Sequence, residues 1–112
     1  AIGETAKANG CSVPRDYTGH GIGTHMHEDP YIPCYGTAGT GPLLREGMTL
    51  AIEPMVLEGK PEVRVLKDGW TVVSKDGKLT SHYENTVVVT KDGCEVLTYS
   101  EAEKKARKEA GN

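Results

Sequence analysis

The chain has 112 residues, 37% of them hydrophobic, with no phenylalanine and one tryptophan, the scale of a single domain with a modest core. A formal net charge of −3 with both signs mixed argues against a nucleic-acid surface. No apolar run reaches membrane-span length, and no signal-peptide pattern opens the sequence. Cys11, Cys34 and Cys94 lack CxxC spacing, which excludes a zinc ribbon and reads as the reduced thiols of a cytoplasmic protein.

Ala1 to Ala8 is helix-forming from its first residue, with no N-cap residue ahead of it, and Asn9-Gly10 closes it. This is the pattern of trimming, or of one half of something larger. Cys11 to Tyr17 is expected to be extended. Then comes Gly19-His20-Gly21-Ile22-Gly23-Thr24-His25-Met26-His27-Glu28-Asp29-Pro30, which holds three of the four histidines. Glycines this frequent disfavour a helix and predict an extended or turning segment. They also leave room for another group to approach the backbone. From Pro30 to Pro42 the prolines and glycines predict an aperiodic covering loop, and Leu43 to Gly47 a turn ahead of a strand.

Met48 to Pro54 alternates, with Met48, Leu50 and Ile52 on one face and Thr49, Ala51 and Glu53 on the other. Pro54 ends the strand or marks an edge, where an exposed glutamate at position 53 is the ordinary outcome. Turns at Asp68-Gly69, Asp76-Gly77 and Asp92-Gly93 predict an antiparallel meander of Glu62 to Leu66, Trp70 to Ser74, Leu79 to Thr90 and Cys94 to Thr98. In the longest strand, His82 and Glu84 share a face at the centre of a sheet, where a carboxylate is costly unless paired or metal-bound. Ser100 onward predicts a short charged helix with an alanine-only apolar face. Glu101 with Lys105, and Glu103 with Arg107, are spaced for i,i+4 pairs on this solvated tail, residues 99–112, beside a domain of residues 1–98.

If His20, Glu53 and Glu84 converge, one imidazole and two carboxylates suit Mn, Fe, Co or Zn and leave positions open for water. Spacing alone supports no more than a mononuclear metal site. The ordered motifs go further. Gly19-His20-Gly21-Ile22-Gly23, His27-Glu28-Asp29-Pro30, Glu46-Gly47-Met48-Thr49, Ile52-Glu53-Pro54-Met55-Val56, Lys67-Asp68-Gly69-Trp70-Thr71 and Tyr83-Glu84-Asn85-Thr86-Val87-Val88-Val89-Thr90 occur in that order. His20 and Glu53 are 33 residues apart, Glu53 and Glu84 31. Together they resemble the C-terminal half of type I methionine aminopeptidases of the pita-bread fold, from the first helix to about Thr98. The direct join between the His27 segment and Glu53 lacks the helical insertion of the type II enzymes.

The resemblance implies an α+β fold, half of a pita-bread, with a bent antiparallel sheet and a packed helix. It makes His20, Glu53 and Glu84 metal ligands, Glu84 bridging two divalent ions (Co, Mn, Fe or Zn) in a complete site. It makes His27 and Glu53 catalytic, His27 at the scissile amide and Glu53 as a proton shuttle. Met26, His27 and Trp70 would contact a peptide with N-terminal methionine, the substrate the resemblance implies. His82 stands where many relatives carry glutamine and Asn85 where many carry histidine, both beside a ligand. His25 matches no family role.

The family also draws two aspartate ligands and a substrate-binding histidine from an N-terminal half that nothing in this sequence matches. Three of five ligands should hold one metal at best, weakly, and the chain alone is expected to be inactive until its N-terminal half is supplied in cis or in trans. A non-catalytic binding module is the alternative reading. Isolated copies are expected to pair as a homodimer over the sheet face left uncovered.

Overall fold

The computed structural model describes residues 1–112. Helix α1 (Ile2–Ala8) ends at Asn9 and Gly10, as expected, and its Gly3 packs on the backbone of Cys34 and Tyr35, where a Cβ would lie 2.7 Å from the Cys34 carbonyl oxygen. Between Cys11 and Tyr17 the expected extended stretch is reduced to one bridge, Ser12 to Leu57.

Five antiparallel strands form the main sheet in the order β2-β1-β3-β8-β9: β1 (Gly19–Gly21), β2 (Glu28–Ile32), β3 (Thr49–Ile52), β8 (Asn85–Thr90) and β9 (Gly93–Val96). Two ribbons complete the β structure, β4 (Met55–Leu57) with β7 (Thr80–His82), and β5 (Val63–Val65) with β6 (Val72–Ser74). Pro30 lies within β2 rather than in the expected loop. That strand is at the sheet edge, where a residue without an N–H is tolerated.

The expected meander is corrected in one respect. The Asp76-Gly77 turn does not pair β6 with β7; β7 pairs with β4, and the long strand Leu79 to Thr90 is split at Tyr83-Glu84. Pro54 explains the split. It cannot donate to a ladder, so β3 and β4 separate at Glu53-Pro54. The partner strand breaks at the same level, with the Tyr83 N–H donating to the Pro54 carbonyl at 3.2 Å. Glu84 therefore occupies a break and is exposed, not set midway along a central strand. The other two turns behave as expected. Asp68 accepts from the Trp70 and Thr71 N–H groups and the Thr71 hydroxyl, which holds its carboxyl below the usual range.

Leu50 and Val87, paired across β3 and β8, are buried on one face of the sheet, while Ala51 on the other face is fully covered. Leu57 is 1% exposed, but only 11 of 112 residues are buried. The accessible surface is 8429 Å², against about 6,000 Å² for a folded monomer of 12.0 kDa. A groove of about 1470 Å³ runs between α1, the Cys11–Arg15 segment and the loop around Tyr35, with Leu44 and Tyr31 on its wall.

Helix α2 (Glu101–Glu109) buries no residue. Its expected ion pairs are replaced. Glu101 meets Lys104 at 2.7 Å, and Arg107 lies over the Tyr99 ring at 4.5 Å. Glu103 closes a capping box with Ser100 and accepts from the Tyr83 hydroxyl. The Tyr83 hydrogen bond, then those from Ser100, hold the Glu103 carboxyl down at about 2 from an ordinary 4.5. A carboxyl depressed on folding stabilises the ordered state above its unfolded value and ceases to do so as pH falls through its folded value. The helical signals of residues 101–109 are thus expected to persist above about pH 4.5 and fade between there and about pH 2, followed by NMR. Fading already at neutral pH would contradict this.

Candidate metal centre

The centre forms where the sheet breaks. His20 is directly opposite Ala51, and Ala51 is directly opposite Thr86, so side chains at 20, 51 and 86 share one face of β1, β3 and β8. Ile52 pairs with Asn85, and continuing that antiparallel register by one step sets Glu53 against Glu84. Between them Ala51 brings only a methyl group to this face, and it is fully covered.

His20 is held by close backbone packing. A Cβ on Gly19 would lie 2.2 Å from the Ala51 carbonyl oxygen, and one on Gly21 would lie 2.1 Å from that of Asp29. The second approach arises at a bulge, where the β1–β2 register jumps from His20–Tyr31 to Gly21–Glu28. The glycines around His20 thus admit neighbouring strands.

One donor atom each from His20, Glu53 and Glu84 lie within 4.8 Å of one another. His20 Nδ1 is 2.8 Å from the Gly21 carbonyl oxygen, an acceptor only, so Nδ1 carries a proton. Nε2 faces Glu53 Oε1 at 3.0 Å. A neutral ring would turn its lone pair on a carboxylate oxygen there, and the contact becomes favourable only with a proton or a cation between the two. Glu53 is not the exposed edge residue that its strand-end position suggests, since its side chain is 15% exposed. A carboxylate so enclosed needs charged or hydrogen-bonding partners. The donor set thus fits a borderline divalent cation, with Nε2 free to ligate and Nδ1 fixed by a carbonyl, as ligating histidines usually are.

The His27 ring stacks obliquely on His20, with centroids 4.4 Å apart, while its side chain remains exposed. Met26, in the segment between β1 and β2, is 70% exposed, and Trp70, at the β5–β6 turn, is 87% exposed. Neither is enclosed within this chain. His25 stays in the loop against Glu28. Cys34 is buried, which pushes its thiol pKa up, with the Glu53 charge adding to the effect.

Sequence reasoning did not anticipate how close His82 comes to Glu53: Nε2 is 3.4 Å from Oε2. That approach depends on the β4–β7 pairing of Met55 with His82, which no local pattern discloses.

The sequence profile of metallopeptidase family M24 matches residues 1–91. The methionine aminopeptidase of Mycoplasma capricolum is 59% identical over 90 residues, 80% of this chain and 36% of that protein. The Escherichia coli K12 methionine aminopeptidase is 52% identical over 98 residues, 88% of this chain and 37% of its own. The crystal structure of methionine aminopeptidase from Thermotoga maritima superimposes with a TM-score of 0.85 at 56% identity, covering 88% of this chain and 40% of that one. The chain therefore spans about two-fifths of the length of these relatives. The expected α+β half of a pita-bread fold is the one found. With a match running through most of its length, the chain belongs to metallopeptidase family M24.

Proposed function

We propose that the chain is the C-terminal part of a methionine aminopeptidase and removes N-terminal methionine from nascent polypeptides once an N-terminal part completes the site. The convergence of His20, Glu53 and Glu84 carries this reading, because a binding module has no use for that donor set. Those residues would hold divalent ions of the Co, Mn, Fe or Zn type, which when bound acidify water and polarise a carbonyl. His27, exposed beside His20, would donate a hydrogen bond at the scissile amide and stabilise developing negative charge on its oxygen. Glu53 would carry a proton toward the leaving amine. Met26 and Trp70 would line the methionine side-chain pocket, where thioether–aromatic contact is favourable. Action on nascent chains would place the protein in the cytoplasm, where three free cysteines are at home. No helix is long and apolar enough to cross a membrane.

Dependence on a second part has its own support. The surface in excess of a typical monomer, roughly 2,400 Å², is on the scale of one side of an obligate interface. Without that partner, a second copy would cover the same face. Native mass spectrometry should then show a homodimer of the chain alone and a one-to-one complex when the N-terminal part of a homologous methionine aminopeptidase is added. Methionine release from Met-Ala-Ser should appear only in the mixture. A well-folded complex without release would favour the binding-module reading.

A further inference from the structure

His82 borders this centre without a part in it. It closes β7, fixed by its pairing with Met55 and by the following Tyr83 N–H on Pro54, and its side chain is 46% exposed. Its Nε2 lies 3.4 Å from Glu53 Oε2, while Oε1 of the same carboxylate lies 3.0 Å from His20 Nε2. Each oxygen of Glu53 thus faces a different imidazole.

These spacings suit donors on a shared cation as well as hydrogen-bonded pairs. Two donor atoms about 2.1 Å from an ion, at octahedral to tetrahedral angles, stand about 3.0 to 3.4 Å apart. His82 lies outside the group of His20, Glu53 and Glu84, whose donor atoms are all within 4.8 Å of one another. It is therefore poorly placed to join that ion, but it and Glu53 Oε2 face each other on the carboxylate's other side. We propose that His82 and Glu53 Oε2 form a second cation position, with Glu53 bridging an ion at His20 and an ion at His82. Imidazole with carboxylate selects a borderline divalent ion such as Zn or Co rather than Mg or Ca. Glutamine, which many relatives carry at this position, is a far weaker ligand for such ions, so the site depends on the histidine of this chain. The inference rests on the metal reading of His20, Glu53 and Glu84.

Cobalt(II) added to the full 112-residue chain tests it, by native mass spectrometry and by paramagnetic NMR. A histidine ligating through Nε2 keeps an Nδ1 proton whose signal cobalt shifts far outside the normal range. The expected result is two cobalt ions per chain and two shifted ring N–H signals. His82→Gln, at a half-exposed position and checked for folding by circular dichroism, should lose one ion and one signal. One ion with one signal, or two ions unaffected by His82→Gln, would overturn the second position and leave His82 a hydrogen-bonding neighbour. Absence of cobalt from the unsubstituted chain would overturn both this position and the metal reading beneath it.

Discussion

Glu53→Gln is expected to lower the chain's affinity for manganese or cobalt by more than about a hundredfold, measured by isothermal titration. Loss of a group that only supports a ligand typically costs about 10- to 100-fold. Glu53 is itself one of the three proposed donors and the most enclosed carboxylate among them, with an imidazole within 3.4 Å of each oxygen. Glutamine preserves its shape and removes its charge, so the loss should appear in binding and not in folding. In the completed enzyme the same change should also abolish methionine release if Glu53 carries the proton as proposed. Unchanged affinity would mean that His20 and Glu84 suffice, and that the 3.0 Å contact between His20 and Glu53 is a plain ion pair.

Gly21→Ala acts on the same centre through the backbone. The added methyl group would sit 2.1 Å from the Asp29 carbonyl oxygen and 2.8 Å from its carbon. Neither atom is the end of a flexible side chain, so the β1–β2 bulge must open. Overpacking of this kind commonly costs about 1 to 3 kcal/mol, and a backbone clash belongs at the upper end. A loss on the order of 3 kcal/mol in chemical denaturation is expected, with weaker cation binding as His20 shifts with its neighbour. A change within about 0.5 kcal/mol would show that β2, an edge strand, yields freely.

Local patterns disclosed the pieces better than their partners. Alternation from Met48 to Glu53 and the Asp-Gly turns at 68 and 92 are short-range physics, and they appear in the structure where the sequence puts them. The split at Tyr83-Glu84 was hidden because no proline or glycine interrupts residues 79 to 90. What breaks the strand is a proline 30 residues earlier, acting through the Tyr83 hydrogen bond. For the same reason His82 was legible as a neighbour of Glu84 and not of Glu53. The tail shows the reverse case. Ser100 and Glu103 carry the spacing of a capping box, and that local signal outcompeted the i,i+4 partner assigned to Glu103. The ligand group His20, Glu53 and Glu84 was legible only because several motifs occur in a fixed order, since no single spacing implies that three strands meet.

That meeting ties cation to folding. The three donors come from strands β1, β3 and β8 or their ends, more than 30 residues apart along the chain. An unfolded chain offers these three no common point and would hold a cation only through local groups such as His25 and His27, so binding favours the native state. At a hundred times its dissociation constant it would add about 2.7 kcal/mol to the stability of a molecule with few buried residues. Metal supply would then set how much of the chain is folded as well as how much of it is charged with metal.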